Sequence, residues 1–460
     1  MALVRFLAFG VGPFESLDLN LSDGQGNAHL GPHIFAGVNG SGKTTALRAI
    51  AWSLSLAGHG FPFEQWSHSL RGWDRSAGIS IFQLPDSAEC AYIAVPVLAV
   101  DSDSLPPPDA KALWIRGLSL PFDCEGLTHV RRSKAPPPTD WWRWGQPAFS
   151  EGKRLINVAS YAPSRALRYI RRGDAEQQKV KRELQKPFRM SLAFESTVQN
   201  EALQSWLVDL YTRIAIAKEK SQAFESYAAS LRSFETALKL TCGEDIGFDV
   251  AVEPDLEPRI WIGGRSLNFS QLPDGIRNTV GWLADFIRRQ QTTAWAPTLN
   301  GKRPGVLLID EIDAHLHPRW QRTILPALRE AFPEVQIIVS THSPFVISSC
   351  PEARVHVFEL DESGVAKARP PEDAPIGESI IATIKDIFGV NSRFDVYTER
   401  ELERWNELRR AQASGGLAPE TGRELETLTQ TLAAKSEELR SLVGAAQRLP
   451  QGLLESVLRG

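Results

Sequence analysis

The chain has 460 residues, 42% of them hydrophobic, which is enough for a substantial core and allows roughly two to three domains. Its net charge of −4 excludes a general attraction to nucleic acid, although a local basic patch remains compatible with it. No apolar run approaches the ~18–20 residues of a membrane span, and the isolated cysteines suit a reducing compartment, so we expect a cytoplasmic protein.

A phosphate-binding loop is predicted near the start of the chain. Residues 37–44 read GVNGSGKT and fit G-x-x-x-x-G-K-[ST], a loop whose backbone N–H groups wrap a phosphate. A buried strand is predicted before the loop and a helix after it, which would place the phosphates at a helix N-terminus. Lys43 can reach the β- and γ-phosphates of ATP, and the Thr44 hydroxyl can bind Mg²⁺. The expected nucleotide contacts are Gly37, Asn39, Gly40, Ser41, Gly42, Lys43, Thr44 and Thr45.

The middle of the chain predicts strands followed by helices. Alternating runs at 78–84 and 91–97 are typical of antiparallel strands. From Arg165 to about residue 239 the sequence becomes helical and charged, and residues 165–189 hold nine Lys or Arg against three Asp or Glu. This basic stretch could contact nucleic acid or an acidic partner. A solvated helix face explains the same charges.

A pair of carboxylates follows an apolar run far downstream. Residues 306–309 are continuously apolar, as expected of a parallel strand that is buried on both faces. Asp310 and Glu311 follow directly, at the strand end where open α/β sheets bind ligands. Asp310 would hold Mg²⁺ through water, and Glu311 would polarise the attacking water. The alternative interpretation is an ordinary acidic turn.

A histidine follows the next predicted strand, which spans residues 335–340. The strand ends in Thr341-His342-Ser343-Pro344, so His342 lies just past its carboxyl end. A histidine in that position can contact the γ-phosphate and sense its loss. A buried structural histidine is the alternative, but the polar residues around it favour the first interpretation.

Together these motifs resemble the ABC-type ATPases of the SMC-like and OLD-like branch. The sequences IDEIDAHLHP and STHSPFVISS look most like the ATPases of bacterial anti-phage systems such as Septu. The resemblance implies an α/β fold: an ABC-type ATPase head with a mixed sheet that carries the P-loop, an antiparallel lobe, a short inserted helical hairpin and a helical C-terminal tail. It also implies that Asp313 opens the D-loop beside the nucleotide and that His342 is the switch histidine. Related ATPases carry a Y-x-x-x-R segment like that of Arg165 near the active site, which would bring Arg165 to phosphate or the dimer partner; a surface arginine is the alternative interpretation.

One family motif departs from its usual form. ABC-type ATPases carry an LSGGQ signature that contacts the γ-phosphate bound by the opposite subunit, and the candidate here is residues 272–276, LPDGI. Pro273 replaces the serine, but proline is tolerated at a helix start and Gly275 leaves backbone N–H groups free to face an anion. Asp274 adds a negative charge near that phosphate. We therefore expect a variant signature in which Asp274 and Gly275 contact nucleotide in trans.

The order of the motifs predicts four segments. Residues 1–164 and 241–368 would form the two parts of the head, 165–240 the inserted hairpin and 369–460 the tail. Helices are predicted at 277–289 and 319–331 in the head and at 380–388, 399–411 and 420–449 in the tail.

The resemblance implies an enzyme that hydrolyses ATP with Mg²⁺. It would act as a homodimer or higher oligomer that sandwiches ATP between the P-loop of one subunit and the LPDG loop of the other. The chain carries no recognisable nuclease motif, so we expect it to sense or regulate an effector protein from the same operon, a nuclease, in anti-phage defence. Two alternatives stay open: a DNA-repair or recombination ATPase that binds DNA directly, and a scaffold held by nucleotide with negligible turnover.

Overall fold

The computed structural model describes residues 2–55, 77–83, 90–96, 149–150, 153–154, 156–163, 200–243, 246–251, 257–293, 295, 299–416 and 418–448. The strands are β1 (Ala2–Val11), β2 (Phe14–Asn20), β3 (His33–Gly37), β4 (Ala77–Gln83), β5 (Cys90–Pro96), β6 (Phe149–Ser150), β7 (Lys153–Arg154), β8 (Asn157–Tyr161), β9 (Ile246–Ala251), β10 (Glu257–Ile262), β11 (Arg265–Asn268), β12 (Gly305–Ile309), β13 (Val335–Ser340), β14 (Arg354–Leu360), β15 (Ala366–Ala368) and β16 (Glu372–Asp373). The helices are α1 (Lys43–Ser55), α2 (Asn200–Glu219), α3 (Glu225–Cys242), α4 (Asp274–Thr292), α5 (Pro318–Gln321), α6 (Ile324–Ala331), α7 (Pro344–Ile347), α8 (Ile380–Phe388), α9 (Val396–Ala413), α10 (Pro419–Lys435) and α11 (Glu437–Arg448).

A mixed sheet forms the centre of the first part of the chain. Its strands run in the order β15-β14-β3-β13-β12-β8, and β16 pairs with β14. Strands β14, β3, β13, β12 and β8 are parallel, whereas β15 and β16 are antiparallel to β14. Every residue of β3, β8, β12 and β13 is buried. Burial on both faces explains why these strands are mostly apolar and show no regular alternation of polar and apolar residues.

A second sheet confirms the predicted antiparallel lobe. It has the order β2-β1-β4-β5, with antiparallel pairing throughout. Helix α1 contacts strands of both sheets, and one apolar cluster combines α1 with β1, β2 and β12. The helix that follows the P-loop is therefore held by core packing on two sides. Together the two sheets confirm the predicted fold class, an α/β head with a P-loop.

A buried polar cluster joins the two sheets at the amino ends of the parallel strands. The amide of Gln336, in β13, accepts from Leu3 N (2.7 Å) and donates to Leu3 O (2.8 Å). Beside it, His33 Nε2 lies 3.2 Å from the His29 carbonyl and must carry a proton to bond it. His33 Nδ1 therefore accepts from His356 Nε2, at 3.1 Å. Burial lowers the pKa of His33 and of His356, the latter to about 3.

The helices predicted to form an inserted hairpin pack against the head where the structure describes them. Helices α2 and α3 contact α4, α6 and the small antiparallel sheet β11-β10-β9. The 20-residue α2 spans about 30 Å. In that sheet β10 pairs antiparallel with β9 on one side and with β11 on the other. Arg165 and the basic stretch 165–189 lie outside the described residues.

Two predicted helices are each divided in the structure. The helix predicted at 319–331 breaks between α5 and α6, where Thr323 N bonds Trp320 O three residues back and the Thr323 hydroxyl donates to Thr241 O. The helix predicted at 420–449 breaks at Ser436, which is extended (φ −156°, ψ 162°). The Ser436 hydroxyl accepts from Leu439 N and so caps α11. At Ser436 the hydroxyl thus satisfies a backbone N–H of the new helix, whereas at Thr323 it bonds the carboxyl end of α3.

The chain divides into two compact units, Met1–Glu378 and Ser379–Gly460. Pairing of β16 with β14 holds the residues after 369 in the first unit, so that unit extends beyond the predicted start of the tail. The second unit contains α8 to α11, and its core includes Leu402, Trp405, Leu425 and Leu432. Among the residues that the structure describes, no helix is both long and apolar enough to cross a membrane.

Candidate nucleotide-binding site

The loop that leaves β3 requires glycine at defined positions. At Gly37, φ is +137° and a Cβ would lie 2.1 Å from the Phe358 carbonyl oxygen. At Gly42, φ is +95° and a Cβ would lie 2.3 Å from the Phe14 ring. Gly40 has φ +79° with open space around it. Close approach of neighbouring atoms thus dictates glycine at two positions, and the left-handed backbone favours it at the third.

The remaining loop residues divide between an exposed tip and a buried base. Asn39 and Gly40 are exposed. Ser41 is fully buried, and its hydroxyl donates to the Val38 carbonyl at 2.8 Å. Thr45 lies against Gly12, where a Cβ would meet the Thr45 methyl group at 2.7 Å. The tip can therefore meet a ligand, while the base is fixed to the head.

Lys43 bonds the carbonyls of its own loop. Its Nζ donates to Gly37 O (2.9 Å) and Val38 O (2.8 Å). The side chain is 5% exposed, and burial lowers its pKa to about 8, against the opposing effect of the nearby Asp310, Glu311 and Asp313. The ammonium group thus lies inside the loop, at the place where the motif expects phosphate.

Thr44 and Asp310 come together although they are far apart in sequence. The Thr44 hydroxyl donates to Asp310 Oδ1 at 3.0 Å across 266 residues. The same carboxylate oxygen accepts from the Ser340 hydroxyl at 2.5 Å. Hydroxyl and carboxylate oxygens are the hard ligands that Mg²⁺ prefers. The chemistry of these donors therefore fits the predicted magnesium site.

Glu311 is held in an unusual backbone conformation. Its φ is +46°, in the left-handed region that non-glycine residues rarely adopt. Its backbone N–H donates to Ser340 Oγ at 2.7 Å, and the side chain is half-buried. Strained residues of this kind cluster at functional sites, where surrounding contacts fix them.

Asp313 and His342 approach the same edge of the sheet. The Thr341 hydroxyl donates to the Asp313 carboxylate and joins the segment after β12 to the end of β13. His342 is half-buried, and burial followed by the nearby Lys43 charge lowers its pKa, while Asp313 and Asp310 oppose this. The predicted His342, Lys43 and Asp313 are thus electrostatic neighbours.

The candidate signature has contacts of a different kind. Asp274 lies exposed in the first turn of α4 and forms an ion pair with Arg277. A Cβ on Gly275 would lie 2.2 Å from the carbonyl oxygen of His315, itself left-handed at φ +64°. Gly275 therefore lets α4 touch the segment after Asp313 within one subunit. That intramolecular contact was not predicted from the sequence.

A buried charged cluster fixes α4 to the central sheet. Asp285 accepts from Arg288 Nη2 (2.7 Å), Arg289 Nε (2.6 Å) and the Tyr161 hydroxyl (2.9 Å). Burial raises the pKa of Asp285, but Arg289 and Arg288 outweigh burial and the net effect is a lowered pKa. The helix that begins at Asp274 is thereby attached to the end of β8, next to Asp310.

Sequence reasoning missed three hydroxyl and phenol groups of this region: Ser340, Thr341 and Tyr161. Ser340 and Thr341 had a detectable signal, since both stand at the polar end of an apolar strand directly before His342. Tyr161 stands in the Y-x-x-x-R segment, but its bond to Asp285, 124 residues away, had no sequence signal.

The sheet order and the convergence of the P-loop with the carboxylate pair define the class of a P-loop nucleotide-binding head. Comparison with known proteins agrees with this. Residues 208–348 match the family described as "AAA domain, putative AbiEii toxin, Type IV TA system".

Two relatives are similar to parts of the chain. The chain is 34% identical over 129 residues to "Retron Vc95 probable ATPase" of Vibrio cholerae serotype O1 biovar El Tor, covering 27% of this chain and 24% of that protein. It is 40% identical over 91 residues to "Septu protein PtuA" of Bacillus mycoides (strain KBAB4), covering 20% of this chain and 12% of that protein. The chain thus matches about a quarter or less of these two relatives. The matches confirm the predicted resemblance to Septu-type ATPases.

The solved structures give a weaker likeness. The structure titled "Crystal structure of the SmcHead bound to the C-winged helix domain of ScpA" is 15% identical, with a TM-score of 0.42, and covers 82% of this chain and 98% of that one. The SMC head domain from Thermotoga maritima is 17% identical, with a TM-score of 0.36, and covers 81% and 100%.

Proposed function

We propose that this protein binds and hydrolyses ATP with Mg²⁺ at the carboxyl edge of the parallel sheet. The observation that carries the proposal is the hydrogen bond between Thr44 and Asp310. It joins the phosphate-binding loop to the carboxylate pair in one site, as a Mg²⁺–nucleotide complex requires.

The residues of this site have distinct roles in the proposed reaction. Lys43 leaves the carbonyls of Gly37 and Val38 and bonds the β- and γ-phosphates. Thr44 and Asp310 hold Mg²⁺, which neutralises negative charge on the phosphate oxygens when bound. Glu311 orients and polarises the water that attacks the γ-phosphate in line. His342, near Lys43, contacts the γ-phosphate and registers its departure.

The proposed active form is a dimer. Asp274 and Gly275 lie at the start of α4, where backbone N–H groups can meet an anion, and Gly275 positions that helix against the segment after Asp313. ATP bound by one subunit would meet this helix start of the second subunit. Each nucleotide would then be enclosed by two subunits, with Asp313 beside it.

We further propose that ATP turnover controls an effector in anti-phage defence. The names of the retron and Septu relatives support the defence role. Because the sequence carries no recognisable nuclease motif, an operon-encoded nuclease is the partner that we propose.

The ATPase proposal is tested with Lys43→Ala and a matched control, Lys239→Ala, which removes an exposed lysine of α3. We expect the wild type and Lys239→Ala to bind and hydrolyse ATP, measured by fluorescent-nucleotide binding and phosphate release. Lys43→Ala should lose both. Equal hydrolysis by Lys43→Ala and wild type would show that the measured activity belongs to another site or a contaminant.

The partner proposal is tested by purifying the tagged protein from its native host and identifying the chains and nucleic acids that accompany it. A nuclease that copurifies would support control of an effector. Recovery of DNA without a protein partner would overturn that proposal and favour a repair ATPase that binds DNA directly.

A further inference from the structure

We propose that Ser340 is a positioning residue that sets the geometry of Asp310 and Glu311 for Mg²⁺ binding and water attack. The inference rests on the proposed ATPase function and adds a residue that lies neither in the phosphate-binding loop nor in the carboxylate pair. Ser340 acts through its two neighbours and touches no phosphate itself.

The sheet order places Ser340 between the two halves of the site. Strand β13 lies between β3, which leads into the phosphate-binding loop, and β12, which leads into Asp310. In the registers of these strands Ser340 pairs with Phe35 of β3, and Val339 pairs with Ile309 of β12. Ser340 therefore lies beside Asp310, and it is 1% exposed.

The directions of its hydrogen bonds follow from what each group can donate. The Glu311 backbone can only donate its N–H, so Ser340 Oγ is the acceptor in that bond of 2.7 Å. A hydroxyl carries a single proton, which Ser340 donates to Asp310 Oδ1 at 2.5 Å. Asp310 Oδ1 thus accepts hydrogen bonds from the Thr44 and Ser340 hydroxyls, while Glu311 is held through its backbone N–H. One hydroxyl group connects both carboxylate residues.

The bond to Glu311 matters because of the conformation there. A left-handed glutamate needs surrounding contacts to hold it, and Ser340 Oγ supplies one to its N–H. The Ile312 N–H is also held by the same strand end, through the Ser340 carbonyl at 3.0 Å. The N–H groups of Glu311 and Ile312 are therefore both hydrogen-bonded to Ser340. These two bonds fix the backbone of Glu311 and so the direction of its side chain.

The same strand end also carries the group that meets the γ-phosphate in the proposed function. Thr341 follows Ser340 and holds Asp313, and His342 comes next. A shift of His342 on phosphate release would pull directly on the bonds to Asp310, Glu311 and Asp313. Ser340 thereby links phosphate sensing to the geometry of hydrolysis.

The test compares three variants. Ser340→Ala removes the hydroxyl, Ser340→Thr keeps it, and Ser349→Ala is a matched control, because the Ser349 hydroxyl donates locally, to the Val346 carbonyl three residues before it. The measurements are kcat and KM for ATP, binding of Mn²⁺ in the presence of ATP followed by electron paramagnetic resonance, and the melting temperature. Full-length protein is used throughout.

We expect Ser340→Ala to lower kcat about ten- to hundredfold, the effect of losing a hydrogen bond to a charged group, with KM changed less than threefold. Mn²⁺ binding should weaken by about tenfold or more. Ser340→Thr should keep most of the wild-type kcat and Mn²⁺ binding, and Ser349→Ala should match the wild type in both.

Two results would overturn the inference. In the first, Ser340→Ala keeps kcat and Mn²⁺ binding within twofold of the wild type. In the second, Ser340→Ala and Ser340→Thr lose activity, Mn²⁺ binding and melting temperature together, which would show a merely structural role. If the wild type neither binds nor hydrolyses ATP, the proposed function itself has failed, and both ideas fall for that separate reason.

Discussion

The two ends of the parallel strands carry polar residues that serve opposite purposes. At the carboxyl end, Lys43, Asp310 and Glu311 converge on a loop whose tip is exposed. At the amino end, His33, Gln336 and His356 are sealed in the core, and each has at least one internal hydrogen bond. Strand β13 shows both cases, with Gln336 near its start and Ser340 at its end.

The difference lies in whether the protein itself satisfies the polar groups. Gln336 uses both ends of its amide within the fold, which joins β13 to β1. Lys43 instead bonds loop carbonyls that a phosphate can replace. Polar groups at the amino end should therefore matter for stability, and those at the carboxyl end for activity.

The largest expected effect is at Glu311. Glu311→Gln should lower ATP hydrolysis about 10²- to 10⁴-fold, the range for loss of a general base, while nucleotide binding and the free energy of unfolding stay nearly unchanged. Phosphate release measures hydrolysis, and urea denaturation measures the free energy of unfolding. Glu330→Gln, an exposed glutamate of α6, is the matched control. A small effect on an already negligible turnover would instead favour the scaffold alternative.

Gln336 tests the opposite end. Gln336→Leu leaves the buried N–H and C=O of Leu3 without their partner, so it should lower the free energy of unfolding by about 2–4 kcal/mol. The hydrolysis rate per folded molecule should not change. Gln222→Leu, at an exposed site, should leave stability within about 0.5 kcal/mol. A loss of activity without a loss of stability would contradict the comparison.

The buried histidines predict a dependence of stability on acid. Burial, together with nearby charges that include Arg354 and His29, lowers the pKa of His33 and brings that of His356 to about 3. In the unfolded chain both histidines take up protons near their ordinary pKa of about 6.5, whereas in the folded state they stay neutral at that pH. The contribution of the two neutral histidines to the free energy of unfolding is fully present above pH 6.5. It is lost as pH falls below 6.5, by about 1.4 kcal/mol per pH unit for each histidine.

Urea denaturation between pH 5 and 8 measures this loss. His356→Phe should remove about half of the pH dependence between pH 6.5 and 5, and His315→Asn, at an exposed site, should leave it unchanged. An identical slope in His356→Phe would show that other groups carry the acid sensitivity.

The smallest expected effect is at the variant signature. Asp274→Asn should cost about 0.3–1 kcal/mol of stability, because a negative charge at the start of α4 is favourable. It should also strengthen ATP-dependent dimerisation about two- to fivefold, since one exposed charge near the phosphate is removed. Analytical ultracentrifugation with ATP measures this. The gain should shrink in high salt, and a gain that ignores salt would argue against a charge effect.

Local sequence predicted the elements of the site better than the contacts that fix them. The strand at 306–309 is an apolar run, the strand at 335–340 is rich in Val and Ile, and the loop at 37–44 is a spacing pattern, so none of them needs partner information. The roles of Gln336 and Tyr161 depend on partners more than a hundred residues away. The break at Ser436 was missed for a different reason. A serine inside a charged helical pattern is weak evidence until the two helices pack around Leu432 and Leu439.

The bond between Leu3 and Gln336 also bears on how the protein folds during synthesis. These residues are 333 positions apart, and β3 lies between β14 and β13, which come late in the chain. At about 5–20 residues per second, the ribosome needs roughly 15–60 seconds to make the 300 or so residues that separate β3 from β13. During that interval the hairpin β1–β2 can form locally, while β3 exposes apolar edges with no strand to pair. The head is therefore a high-contact-order fold whose nascent chain depends on protection from aggregation until its last parallel strand emerges.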